Sequence, residues 1–201
     1  MSGVNAPRYV VIFFYYLRRC IAMKFTVKTI VAIGIGAALF FVLARFVSVP
    51  VFANTYLSLQ YAVLGFFAAV FGPIAGLLIG FIGHTLVDLT WGSPWWSWII
   101  ASAIVGFLSG FLLKGIDINA GELGKKGVLR FIIGSIIIHM IAWVGIAPAL
   151  DILIYAEPTD KIFAQGLIAG TGNAVLTCIV GTILLVAYAK TRTGKGSLDK
   201  E

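Results

Sequence analysis

The sequence predicts an all-α, polytopic membrane protein with six transmembrane helices and both termini cytoplasmic. Three observations predict it. The chain of 201 residues is 60% hydrophobic and only 11% charged, with mean hydropathy +1.02. A soluble domain carries about a quarter charged residues, so lipid is the solvent that suits this chain. Six apolar segments follow one another, several at or near the ~20 residues that span a bilayer. Of the 15 basic residues, 13 fall into clusters that six spans bring to one side.

The segments run over 27–47, 57–71, 73–90, 95–113, 128–150 and 162–189. Backbone in hydrocarbon must satisfy its own hydrogen bonds, so each is expected to be a helix. The second, 57-LSLQYAVLGFFAAVF-71, is short. Its fifteen residues reach about 22 Å at 1.5 Å per residue, against a ~30 Å hydrocarbon core. Such a helix stands upright, stops early or leaves a depression beside it. The junction 72-GP-73 is a tight turn, because glycine favours a helix end and proline a helix start.

Lysine and arginine placement sets the orientation. Arg8, Arg18, Arg19, Lys24 and Lys28 precede the first span, and Lys114, Lys125, Lys126 and Arg130 lie between the fourth and fifth. Lys190, Arg192, Lys195 and Lys200 follow the sixth, leaving only Arg45 and Lys161 for the other side. The formal charge of +7 therefore reflects membrane topology. No basic–aromatic strip or nucleic-acid reader motif accompanies it, so nucleic acid is not an expected partner.

Residues 23–190 are expected to form one six-helix membrane domain, with 191–201 a cytoplasmic tail. Residues 1–22 are an extension, either interfacial or disordered. Its apolar run 9-YVVIFFYYL-17 is too short to span, and 23-MKFTVKTIVAIGIGAALFF-41 reads as an independent start.

Ionisable residues inside spans are costly and mark function. Those here are Arg45, His84, Asp88 and His139, joined by the uncharged Gln60 and Asn173. His84 and Asp88 are four apart, on one helix face, where a contact between them is sterically natural. Arg45 and Asp88 both end their spans on the outer side and either pair or, for Arg45, snorkel. In 83-GHTLVDLTWGSPWWSW-98, Trp91, Trp95, Trp96 and Trp98 crowd one outer loop. Either they belong to an interfacial aromatic belt, or with His84 and Asp88 they line a pocket for a flat ring. Gln60 and Asn173 either hydrogen-bond toward that pocket or bond a neighbouring helix. Small residues in 32-AIGIGAA-38 repeat every fourth position, as Ala32/Gly36 and Gly34/Ala38, and 76-GLLIG-80 is a GxxxG. Such faces allow close helix approach, to a partner or within the bundle.

Catalytic sets are missing: no nucleotide-binding loop, HExxH, GxSxG or cysteine beside a base. No enzyme activity, metal or cofactor is expected. Cys20 and Cys178 are far apart and imply no disulfide framework.

The runs 24-KFTVKTIVAIGIGAALFFVLARFVSVP-50, 58-SLQYAVLGFFAAVFGPIAGLLIGFIGHTLVDL-89, 94-PWWSWIIASAIVG-106 and 166-GLIAGTGNAVLT-177 resemble the membrane-embedded S components of energy-coupling-factor (ECF) transporters. The resemblance is to the family grouped with riboflavin and hydroxymethylpyrimidine S components, and it covers about residues 23–190. It implies a six-helix fold that captures a vitamin or vitamin precursor near the outer face of a prokaryotic plasma membrane. It implies as partners a transmembrane coupling protein (T component) and two cytoplasmic ATPases. On this resemblance His84, Asp88, Trp95, Trp96, Gln60 and Asn173 become substrate-binding residues, and Ala32, Gly34 and Gly36 a docking face on the first helix. Hydroxymethylpyrimidine is favoured as ligand over riboflavin, because a small aromatic ring satisfies few polar contacts. The alternative is a proton-coupled secondary transporter of a small aromatic solute, using His84, Asp88 and His139 as a relay.

Overall fold

A computed structural model describes residues 26–192; the expectations for residues 1–22 and for most of the tail lie outside them. Six helices carry the fold: α1 (Val27–Phe46), α2 (Gln60–Phe71), α3 (Pro73–Leu89), α4 (Trp96–Ser109), α5 (Gly124–Tyr155) and α6 (Thr159–Lys190). Each of the six expected apolar segments holds one helix, the second beginning at Gln60 rather than at residue 57. α1, α5 and α6 are long and apolar enough to cross a membrane. The other three have 12, 17 and 14 residues, or about 18, 25 and 21 Å.

Local chemistry explains the helix ends. Thr26 caps α1, its Oγ1 accepting from the Thr29 N–H at 3.2 Å. Gly72 closes α2 with φ 94°, a conformation glycine adopts without steric cost, and Pro73 opens α3. α5 and α6 each contain a wide π turn, at Ile141–Ile146 and Thr177–Gly181. In α5 the cause is visible: Pro148 supplies no N–H to the carbonyl four residues back, and the π turn absorbs the mismatch.

No apolar segment covers 48–56, and here the fold adds an element. β1 (Val49–Phe52) and β2 (Thr55–Leu57) form an antiparallel hairpin between α1 and α2. Its turn places Asn54 at φ 51°, in the left-handed region that asparagine tolerates. Flanking Val, Phe, Thr and Tyr side chains favour the pleated backbone.

α3 packs on α4 and on α1, while α5 packs on α6. The GxxxG of α3 serves the first of these contacts. A Cβ on Gly76 would collide with the Gly106 carbonyl, and one on Gly80 with the Ser102 carbonyl. The two backbones therefore touch, which brings α4 side chains against the α3 face bearing His84.

The docking face expected at Ala32, Gly34 and Gly36 divides in the structure. Ala32 is buried, and a Cβ on Gly36 would lie 2.6 Å from Ile79 Cδ1 and 3.3 Å from Phe67 Cδ1. This part of the small-residue surface seats α1 on α2 and α3. Gly34 and Ala38 are exposed on the other side of α1, with nothing within 4 Å of a Cβ on Gly34. Residues 32 and 34 are about 200° apart around a helix, so one stretch serves two faces.

Candidate functional site

At one end of the bundle, the C-terminal ends of α1, α3 and α5 meet the N-terminal ends of α2, α4 and α6, with the hairpin across them. They enclose a cavity of about 440 Å³. Ala44, Gln60, Val87, Trp98, Asp151 and Lys161 mark the contribution of each helix in turn, and Asn54 and Tyr56 that of the hairpin. Short α2, α3 and α4 leave the depression that the length of the second segment suggested.

Charge divides along the same axis. Lys28, Lys114, Lys125, Lys126, Arg130, Lys190 and Arg192 lie toward the opposite end. Among the described residues only Arg45 and Lys161 are basic at the cavity end.

Five of the six expected binding residues line the cavity: His84, Asp88, Trp95, Gln60 and Asn173. His84 is buried, with Nδ1 2.5 Å from Ser102 Oγ, which in turn lies 2.8 Å from the Tyr61 hydroxyl. The other imidazole nitrogen, Nε2, approaches Asp88 Oδ1 to 3.6 Å, too far for a hydrogen bond. Asp88 Oδ2 accepts from the Trp95 backbone N–H at 2.8 Å. A chain of polar groups thus runs Tyr61–Ser102–His84–Asp88 from the core to the cavity.

Trp96 is the exception. Its indole does not line the cavity, it is 45% exposed, and its backbone N–H donates to the Tyr155 hydroxyl at 2.9 Å. Helical spacing explains the exchange, since Trp95 and Trp98 share a face that Trp96 leaves by about 100°. Arg45 likewise does not pair with Asp88: its guanidinium lies over the Trp91 ring, 4.5 Å from the centroid.

Aromatic rings make the walls. Trp91 stacks on Tyr56 at 5.7 Å, Trp95 on Tyr155 at 4.1 Å, and Trp98 leans on Trp143 at 5.1 Å. Two of the lining residues carry a buried polar atom without a partner. Gln60 Oε1 and Asn173 Oδ1 are buried and accept no hydrogen bond, although an unmatched buried polar group costs about 1–3 kcal/mol.

Sequence reasoning missed several lining residues. Asp151 had been placed outside the fifth span, yet it is only 3% exposed and accepts from the Trp95 and Trp98 indoles and from Ser97. α5 runs to Tyr155, so Asp151 sits within it; the apolar 152-ILIY-155 after the aspartate was the available signal. Gln165 lies in the apolar run 162-IFAQGLIAG-170 and was overlooked beside Gln60 and Asn173. Lys161 and Glu157 pair at 2.8 Å on the cavity rim.

His139 stands behind the wall. Trp143 Nε1 donates to its Nδ1 at 3.2 Å, and its Nε2 lies 3.0 Å from Thr177 Oγ1. It does not line the cavity, so the relay of His84, Asp88 and His139 is not assembled there. No group of three or more metal-binding side chains occurs among the described residues.

Three comparisons with known proteins give matches. The model of the family described as "ECF-type riboflavin transporter, S component" matches residues 24–190. A UPF0397 protein of Enterococcus faecalis is 51% identical over 180 residues, covering 89% of this chain and 98% of its own. A UPF0397 protein of Lacticaseibacillus casei is 47% identical over 178 residues, covering 88% and 96%. A solved S component of a bacterial ECF transporter is 19% identical with a TM-score of 0.45, covering 82% of this chain and 92% of its own.

Proposed function

Because the chain belongs to the ECF-type riboflavin transporter S component family, a family of membrane substrate-binding subunits rather than enzymes, we propose that it captures a flat heteroaromatic vitamin or vitamin precursor in the cavity at the end of the bundle. The observation that carries this reading is the pair of buried, unpartnered oxygens, Gln60 Oε1 and Asn173 Oδ1, on side chains that line a space walled by indoles. Aromatic faces hold a ring, and a few converging polar groups set its orientation.

Hydroxymethylpyrimidine, the thiamine precursor, fits this lining chemically. Its exocyclic amino group donates to a carboxylate or amide oxygen, which Asp88, Gln60 and Asn173 would supply. Its ring nitrogens accept from the amide NH₂ of the same Gln and Asn side chains. A second reading, riboflavin, is favoured by the volume of about 440 Å³, which is ample for a single ring, and by the name of the matching family.

The clustering of basic residues away from the cavity supports an outward-facing cavity in a prokaryotic plasma membrane, six crossings and cytoplasmic termini. Energy would come from a T component and two cytoplasmic ATPases, docked through the exposed Gly34/Ala38 face of α1. The test is titration of purified protein with hydroxymethylpyrimidine and with riboflavin, followed by calorimetry and tryptophan fluorescence. One of the two is expected to bind with 1:1 stoichiometry, and Asn173→Ala to weaken it. Failure of both to bind would refute the ligand reading.

A further inference from the structure

Asp151 is a carboxylate buried among aromatic rings, and its contacts are all to one element. Trp95 Nε1 donates to Oδ1 at 2.7 Å, Trp98 Nε1 to Oδ2 at 2.9 Å, and Ser97 Oγ also hydrogen-bonds Oδ1. No lysine or arginine among the described residues pairs with it. A buried charge without such partners is strongly unfavourable. Three donors from the first turn of α4 and the residue before it therefore hold this carboxylate, and it holds them.

An indole N–H can only donate. One group that takes two indoles at once, on separate oxygens, must be acceptor-only at both positions, which is the description of a carboxylate. An asparagine in its place presents one oxygen and one NH₂, so one indole would face a donor. The two indoles so held are both cavity walls. Trp95 is fixed at its other end as well, since its backbone N–H donates to Asp88 Oδ2 at 2.8 Å and its ring stacks on Tyr155 at 4.1 Å. Through Trp95, two carboxylates on α3 and α5 are tied together across the cavity mouth.

We propose that Asp151 is a positioning residue for ligand capture: it acts through Trp95 and Trp98, setting the angle and separation of the two indole walls. Its accepting capacity is taken up largely by these donors, whereas one hydrogen bond reaches Asp88 and none the amide oxygens of Gln60 and Asn173. This proposal rests on the cavity being the ligand site, as argued above.

The experiment combines two readouts on the full chain in detergent. In the first, protein labelled with ¹⁵N-tryptophan gives indole N–H resonances, with Trp95 and Trp98 assigned by Trp95→Phe and Trp98→Phe. Asp151→Asn is expected to shift both resonances and leave those of Trp91 and Trp96 in place. In the second, dissociation constants for hydroxymethylpyrimidine and riboflavin are measured in a mutant cycle. Asp151→Asn is expected to weaken binding about tenfold in the parent, the loss of a charge-assisted hydrogen bond. It is expected to add nothing in the Trp95→Phe/Trp98→Phe background, where the rings remain but the donors are gone. A purely structural aspartate would lower stability in both backgrounds alike and leave affinity unchanged in folded protein. An undiminished effect of Asp151→Asn in the double-phenylalanine background would overturn the proposal, as would indole resonances that do not move. If neither compound binds the parent, the ligand reading fails while the indole resonances still decide whether Asp151 holds the two walls; should Asp151→Asn not fold, the two phenylalanine variants read the same hydrogen bonds from the donor side.

Discussion

Gln165 on α6 donates from Nε2 to the Ala53 carbonyl in the hairpin turn at 2.6 Å, a contact between residues 112 positions apart. It ties the hairpin that crosses the cavity to the helix forming the cavity's far wall. Gln165→Ala removes this donor and leaves a carbonyl to water. Ligand dissociation is expected to accelerate, by about tenfold if the hydrogen bond is worth about 1.4 kcal/mol. Stopped-flow release of the bound ligand measures it, and an unchanged rate would show that the hairpin does not control exit.

Ser102 connects the Tyr61 hydroxyl and the His84 imidazole. Ser102→Ala leaves two buried polar groups with one partner fewer, and about 1–3 kcal/mol of stability is expected to go with them. A fall in Tm on thermal unfolding in detergent checks this. Ser102→Thr, which keeps the hydroxyl, should lose less.

The two faces of α1 give opposite outcomes. Gly36→Leu drives bulk into Ile79 and Phe67, and overpacking of this kind costs about 1–3 kcal/mol, so yield and Tm should drop. A Cβ on Gly34 has nothing within 4 Å, so Gly34→Leu should fold normally. If Gly34/Ala38 is the docking face, Gly34→Leu protein should bind ligand yet fail to co-purify with the T component. Normal complex recovery would exclude that face.

Sidedness is open to direct chemistry. With Cys20 and Cys178 replaced by Ser, Ser93→Cys at the cavity rim should react with a membrane-impermeant maleimide in intact cells. Lys126→Cys, in the first turn of α5 at the other end, should not. The reverse pattern would invert the proposed topology.

Much of this fold was legible in local sequence. The solvent followed from composition, the helices from apolar runs bounded by Gly, Pro and charge, and the turn at Gly72-Pro73 from backbone preference alone. His84 and Asp88 stood out because a titratable group in an apolar run is conspicuous wherever it ends up. These are properties of single segments, and a segment carries them before it meets any other.

What tertiary structure decided was direction and company. Ala32 and Gly34 look alike in sequence, and only the approach of Ile79 and Phe67 makes one side of α1 internal. Trp95, Trp96 and Trp98 are equivalent as indoles, and only the docking of α4 against α5 sets two of them along the cavity and leaves one off it. Asp151 reads as the charge that ends a span, because α5 can carry a carboxylate in its last turns only where donors from α4 meet it. A hydrogen-bond partner 53 to 56 residues away leaves no mark on the chain around it. The sequence determined which solvent the chain needs and where its helices run; the packing of those helices decided which polar groups became a site.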